Sequence, residues 1–249
     1  MKFVVIIPAR MSSSRFPGKP LAEICGMPMV EHVRRRVLLN SKVSNAIVAT
    51  CDKEIFEVVR DGGGESIMTS ESHFCCNDRV SEAARSLDTD IIINVQGDEP
   101  LFDPEMIDIL LQPMIDDPDV LCTNLMAKIE NDKEFRDVNE VKVVCDLASN
   151  AIYMSREPIP STKKSGEAKH EFYKQLGVYA YSRESILNFG EWGPSPLETM
   201  ETIDMIRFME HGEKVRMVCS PFPSIGVDTP NELEIAERLM KDDKYFGNY

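Results

Sequence analysis

The chain has 249 residues, enough for one large α/β domain with a substantial core, and its 43% hydrophobic and 28% charged residues argue against disorder. With 28 Lys and Arg against 42 Asp and Glu, a formal net charge of −14, it lacks the broad basic face that nucleic-acid binding requires. No apolar stretch approaches the roughly 20 residues that span a bilayer, and the run at 3–7 is too short for a signal-peptide core, so a cytoplasmic protein without membrane insertion is expected.

Residues 3–8 are apolar on both faces and predict a buried strand. Apolar residues at helical spacing predict a helix over 29–39, and 46–50 predicts the next strand. Asp52 is the expected cap of a helix running through Val59 and ended by Gly62, Gly63 and Gly64. A short strand at 66–69 precedes a helix over about 80–87, for which Asn77 or Asp78 is the candidate cap. Residues 91–95 give the strongest strand signal, and a helix over 104–115 follows with Pro104 in its first turn. Strands alternating with helices predict an open, mostly parallel sheet with helices on both faces.

After about residue 120 the rhythm changes. Strands are predicted at 141–146, 151–155, 175–181 and 214–220, a helix at 197–210, and a last helix after Asp228-Thr229-Pro230. Residues 161–170 are polar and patternless and read as a mobile loop. The expected division is a nucleotide-binding part to about 125, an acceptor-binding and dimerisation part over about 126–225, and a return to the core with the final helix over 226–249.

Three stretches carry candidate chemistry. The loop after the first strand, "IIPARMSSSRFPGKPL", gathers Arg10, Arg15 and Lys19 with Ser12, Ser13 and Gly18 in an otherwise acidic chain. Ligands of open α/β sheets sit at such strand ends, and the loop offers charge and backbone N–H groups to a polyphosphate. A solvated loop with ion pairs fits its composition equally well, since neither a G-x-G-x-x-G nor a G-x-x-x-x-G-K-[ST] motif is present. In "NVQGDEP" (94–100), Asp98 follows the strongest strand and suits Mg2+, which takes few protein ligands, though it also suits a turn. In "GVDTP" (226–230), Asp228 reads as a helix cap that can also touch a metal. Seven cysteines without C-x-x-C spacing read as reduced core thiols, the adjacent Cys75 and Cys76 being oddly placed, and four scattered histidines give little support to a zinc site.

Taken in order, "PAR…SSSRFPGKPL", "NVQGDEP", "NEVKVV", "SREPIP", "PSPLE" and "GVDTP" resemble the 3-deoxy-manno-octulosonate (Kdo) cytidylyltransferase family, the CMP-Kdo synthetases, over residues 1 to about 240. The resemblance implies a nucleotide-diphospho-sugar transferase-like (GT-A-like) fold, a homodimer, and a role in lipopolysaccharide biosynthesis. It implies transfer of CMP from CTP to the hydroxyl of an acidic sugar, Kdo or a close relative, with Mg2+ as cofactor and pyrophosphate as the leaving group. Arg10, Arg15 and Lys19 would grip the triphosphate and, with Asp98, carry catalysis. Pro8, Ala9, Arg79 and Gln96 would help bind the nucleotide, and Asp98 and Asp228 would hold the metal. Arg156, Gln175, Tyr179, Asp204 and Met205 would face the acceptor.

The chain departs from the family at two places. The family's Ser-Gly-Thr-Glu-Arg stretch is here Cys75-Cys76-Asn77-Asp78-Arg79, and loss of the glycine predicts a modified loop path. The family's His-Leu-Gly is Gln175-Leu176-Gly177, and its Leu-Glu-Gln-Leu-Arg is Ile203-Asp204-Met205-Ile206-Arg207. Arg156 is kept for an acidic group, but the altered polar set keeps open a different acceptor, such as an amino-modified Kdo, another 2-keto-3-deoxy sugar acid or a phosphonate. A GT-A-like glycosyltransferase is the rival from another class; Arg15 and Lys19, which suit a leaving pyrophosphate, argue against it.

Overall fold

The computed structural model describes residues 1–13, 15–164 and 171–249. A strand apolar on both faces has to lie inside a sheet, and β1 (Phe3–Ala9) is buried along its whole length. After a 3-10 turn at Lys19–Leu21 come the short hairpin β2 (Glu23–Ile24) and β3 (Met27–Pro28), then α1 (Met29–Val37), β4 (Val43–Thr50), α2 (Lys53–Asp61) and β5 (Glu65–Met68). Next in the chain are α3 (Cys76–Ala84), β6 (Ile91–Val95), α4 (Met106–Asp116) and β7 (Cys122–Lys128). The rest comprises α5 (Asp132–Arg136), β8 (Lys142–Cys145), β9 (Ala151–Ser155), β10 (Tyr173–Ser182), α6 (Arg183–Trp192), α7 (Pro196–Glu201), α8 (Met205–Glu210), β11 (Arg216–Cys219) and α9 (Pro230–Lys241).

The main sheet runs β11-β7-β10-β6-β1-β4-β5, with β8 and β9 attached beside β10. β1 pairs in parallel with both β4 and β6, while β10 is antiparallel to β6 and β7. Strand alternation divides the core. Val5, Ile7 and Ala9 join Ile93 and Val95 under α1, α2 and α4, whereas Ile6 and Ile92 meet Val80 of α3, Phe189 of α6 and Phe208 of α8 on the opposite face. Each fully buried aliphatic side chain contributes about 1.5–3 kcal/mol. A third cluster, with Ile24, Met29, Val227, Ala236 and Met240, brings α9 back against the β2–β3 hairpin. That return places residue 228 beside the loop after β1.

The mostly parallel helix-flanked sheet is as expected, and several local expectations need correction. Asp52 stands at the N-cap of α2, but its carboxylate takes the Met11 N–H at 2.8 Å instead of capping. α3 begins earlier than expected, with Cys75 at the N-cap and its N–H donating to Asp78 at 3.2 Å. Neither Cys75 nor Cys76 has a positive φ, so the replaced glycine leaves no strain here. The single helix expected over 197–210 is two, broken at Thr202, whose φ of 55° ends α7. β7 and α6 went unanticipated: β7 buries polar Thr123 and Asn124, and α6 contains Gly190, so neither shows a clean apolar period. Of the loop expected at 161–170, residues 161–164 are irregular and 165–170 lie outside the described residues.

Candidate active site

The loop after β1 is tied at both ends. Met11 is held by Asp52, and the Gly18 N–H donates back to the Met11 carbonyl at 3.0 Å, with Gly18 at a φ of 74° that a side chain rarely adopts. The following 3-10 turn directs Lys19 inward. Its Nζ donates to Asp98 Oδ2 at 2.7 Å and to Asp228 Oδ1 at 2.8 Å, with only 13% of the side chain exposed. Burial opposes the charge on Lys19, but Asp98 and Asp228 outweigh it and hold the ammonium above its ordinary pKa. Arg15 reaches the other oxygen of Asp228 at 2.7 Å and donates to Asn139 at 2.8 Å.

Asp98 follows β6 and Asp228 precedes α9, so two carboxylates 130 positions apart share one ammonium. The Val227 N–H donates to the Asp98 carbonyl at 2.9 Å, and Ser224 Oγ donates to Glu99 at 2.7–2.9 Å, lashing the two loops together. Burial, then the neighbouring Asp98 charge, pushes the Glu99 carboxyl up to about 7. Asp228 is not the cap of α9: Thr229 and Glu232 form the capping box, leaving the Asp228 carboxylate to its cations.

These groups line a cleft of about 320 Å3 at the carboxyl end of the sheet. Pro8, Ala9, Arg10, Arg15, Lys19, Arg79, Gln96, Asp98 and Asp228 all line it, with Lys19 in direct contact with both carboxylates. Arg10 is exposed and has no hydrogen-bond or ion-pair partner among the described residues, which leaves its charge available to an anion. Arg79 is nearly buried and donates to Thr69, to the Ser70 carbonyl and, at 3.5 Å, to Cys51 Sγ. His73, Cys75 and Cys76 complete the floor, His73 being held by Glu82. His73, Glu99 and Ser224 were not among the residues singled out from sequence. The pairing of Glu99 with Asp98 in "GDEP" is the one local signal that marks any of them.

The five acceptor candidates are not on this cleft wall. Arg156 spends its guanidinium on backbone carbonyls: Nε donates to Glu201 O at 2.9 Å, and the two terminal nitrogens to Val138 O and Thr202 O. Gln175 donates to Asn124 at 2.8 Å. Tyr179 is 6% exposed, stacked on Tyr181. Met205 is fully buried, its sulfur receiving Asn77 and the Tyr181 hydroxyl, so it packs in the core instead of facing solvent. Asp204 stands one layer back, reached by the Cys76 thiol at 2.9 Å.

Three cations and two carboxylates at the carboxyl edge of an α/β sheet define a phosphate-handling, nucleotide-binding class of protein. A family model described as cytidylyltransferase matches residues 4–215. Relatives called 3-deoxy-manno-octulosonate cytidylyltransferase are 43% identical in Geobacter metallireducens and 44% in Geotalea daltonii, each alignment covering 97% of this chain and 99% of the relative. The solved structure of CMP:2-keto-3-deoxy-manno-octonic acid synthetase complexed with CTP superposes with a TM-score of 0.90 at 38% identity, covering 97% of this chain and 99% of that one. A 4-diphosphocytidyl-2C-methyl-D-erythritol synthase from Anaerococcus prevotii, at 14% identity and a TM-score of 0.65, shares the fold. The chain belongs to the 3-deoxy-manno-octulosonate cytidylyltransferase family.

Proposed function

We propose that this protein transfers CMP from CTP to Kdo, releasing pyrophosphate. The observation that carries the reading is the convergence of Lys19 and Arg15 on the Asp98–Asp228 pair within one cleft, beside Arg10, which has no partner among the described residues. The likeness to a CTP-bound synthetase and to Kdo cytidylyltransferases supports both substrates. Arg10, Arg15 and Lys19 would hold the triphosphate and offset the charge that develops on the departing pyrophosphate. The anomeric hydroxyl of the acceptor attacks the α-phosphorus in line, so the residues act by positioning and charge neutralisation, with no covalent enzyme intermediate.

The donors near Lys19 fit a hard divalent cation, being carboxylate oxygens alone. No group of three or more His, Cys, Asp or Glu side chains gathers as a metal site among the described residues, so Mg2+ would draw on Asp98, Asp228, phosphate oxygens and water. Bound there, Mg2+ would supply charge stabilisation at the α-phosphate. A homodimer is part of the proposal; the exposed apolar side chains Leu147, Ile152 and Met200, on the β8–β9 hairpin and α7, support it.

A second acceptor reading, a related acid, rests on Cys76, which lines the cleft, and on Asp204 behind it, both of which differ from the family's usual residues. The test is pyrophosphate release from CTP with Kdo, other 2-keto-3-deoxy sugar acids and phosphonates, each against a no-acid control. Release with Kdo at a kcat/KM above every other acid supports the proposal. Preference for another acid replaces the acceptor, and no acid-dependent release overturns it.

A further inference from the structure

The floor of the cleft contains a short hydrogen-bonded chain that crosses the molecule. Cys76 Sγ donates to Asp204 Oδ2 at 2.9 Å, and Gln96 Nε2 donates to the same sulfur at 3.0 Å. Both Cys76 and Gln96 line the cleft, while Asp204 lies behind them at the start of α8. With Asp204 ionised the direction of this chain follows from proton count; burial raises the Asp204 pKa, and the Cys76 thiol and the Asn77 N–H, both donating to the carboxylate, oppose that rise. A thiol has one hydrogen, and a carboxylate can only accept it. The sulfur is then an acceptor toward Gln96, which must turn its NH2 to the thiol and its carbonyl oxygen away. Burial pushes the thiol well above its ordinary pKa, so it keeps that hydrogen at neutral pH.

The rest of Gln96 is equally constrained. Its N–H donates to the Gly177 carbonyl at 3.2 Å, and its Cγ lies 2.8 Å from where a Cβ on residue 177 would stand. Glycine there lets the side chain lie flat against β10. Gln96 Oε1 has no hydrogen-bond partner among the described residues, while one N–H of its Nε2 is directed to Cys76 Sγ. Gln96 lies against β10 and reaches α8 through Cys76, the elements that carry the acceptor candidates Gln175, Tyr179, Asp204 and Met205, so its side chain belongs with the acceptor instead of, as the resemblance implies, with the nucleotide.

We infer that Cys76 is a positioning residue: through the Asp204–Cys76–Gln96 chain it fixes the amide orientation of Gln96, presenting Oε1 to a hydroxyl of the acceptor. This rests on the proposed CMP transfer to Kdo. The oxygen selects a hydrogen-bond donor on the acceptor, and an inverted amide would offer NH2 to that donor and lose the contact.

Pyrophosphate-release kinetics with CTP and Kdo test it. Cys76→Ala is expected to raise KM for Kdo about tenfold, the worth of one such hydrogen bond, with kcat and KM for CTP within about twofold of wild type. Cys76→Ser, which can donate to Asp204 and accept from Gln96, should restore KM. Unchanged KM for Kdo in Cys76→Ala, a rise confined to CTP, or failure of serine to rescue would overturn the inference. An independent readout is the infrared S–H stretch of Cys76, assigned by its absence from Cys76→Ser. It should lie below that of a free thiol and move upward in Asp204→Asn, where a neutral amide replaces the carboxylate. A stretch at the free-thiol position in the wild type overturns the inference even if Kdo proves to be no substrate, so failure of the proposed function is told apart from failure of the relay.

Discussion

Lys19 shows how one residue can hold a site together and oppose its ligand. Its ammonium sits between Asp98 and Asp228, where a divalent cation would make the same contacts. A metal held there, as proposed, would compete with this internal ion pair until a triphosphate gave Lys19 another anion. Lys19→Met should accordingly bind Mn2+ about tenfold more tightly in the absence of CTP, measured by electron paramagnetic resonance, while CTP itself binds more weakly. Asp98→Asn should weaken Mn2+ by at least about tenfold with the fold intact, because an amide is a poor ligand for a hard cation. Tighter Mn2+ binding in neither state of Lys19→Met would show that the ammonium does not compete. The residues on this wall were legible in sequence because Arg10, Arg15 and Lys19 fall within ten positions and Asp98 directly follows the clearest strand. The Asp228 side chain was half legible: its place before a helix suggested a cap, and only the folded chain shows that Thr229 fills that role.

The elements were legible where one period dominated. β1 is uniformly apolar and β6 apolar but for Asn94, so both emerged close to their observed bounds, and Asp228-Thr229-Pro230 marked the start of α9. α6 did not, because its Gly190 interrupts the apolar pattern for a reason that lies on another helix. A Cβ at 190 would stand 2.2 Å from Ser81 Oγ and 2.9 Å from Ser81 Cβ, so α3 and α6 approach as closely as they do only with glycine there. Gly190→Ala should cost about 1–3 kcal/mol in urea denaturation, and Ser81→Gly in the same chain should recover part of it through relief of that contact. Additive costs would mean that the two helices do not meet there. α1 offers a pH test. His32 Nε2 donates to the Ile24 carbonyl at 2.8 Å, and its Nδ1 lies 2.9 Å from the Tyr249 hydroxyl. Burial, with Arg36 and Arg35 nearby, holds its pKa below the ordinary 6.5. Unfolded His32 takes up a proton at about 6.5 while the folded one does not, so acidification favours the unfolded state. The contribution is fully present above about 6.5 and is lost as pH falls toward the folded pKa. Melting temperatures from pH 7.5 to 5.5 should fall less steeply in His32→Gln than in the wild type; identical slopes would place the acid sensitivity elsewhere.

At the scale of the whole molecule, the proposed nucleotide side and the proposed acceptor side differ in how they are written. The nucleotide side draws on contiguous motifs at strand ends, whereas the acceptor side draws on side chains whose partners lie far off in the chain. Cys76 and Asp204 are separated by 128 positions and share a hydrogen bond. Their departures from the family's usual residues therefore appear as two unrelated oddities in sequence and as one contact in the fold. Where the family commonly has glycine, this chain has Cys76, which adds a side chain at the floor of the cleft. Where the family commonly has glutamate, Asp204 is one methylene shorter. The enlargement and the shortening meet at a thiol–carboxylate distance of 2.9 Å, so each change fills or vacates the space the other needs. Asp204→Glu alone would drive its carboxylate into Cys76, an overpacking that typically costs about 1–3 kcal/mol. Cys76→Gly alone would remove the thiol donor and leave Asp204 the Asn77 N–H, at a cost of about 0.5–1.5 kcal/mol for one lost hydrogen bond. The double variant should lie closer to wild type than the sum of the singles, in both urea-denaturation free energy and kcat/KM for Kdo. A coupling of at least about 0.5 kcal/mol would mark the two sites as one compensated pair. Strict additivity would mean that they diverged independently, and the contact between them would then have no part in fitting the acceptor.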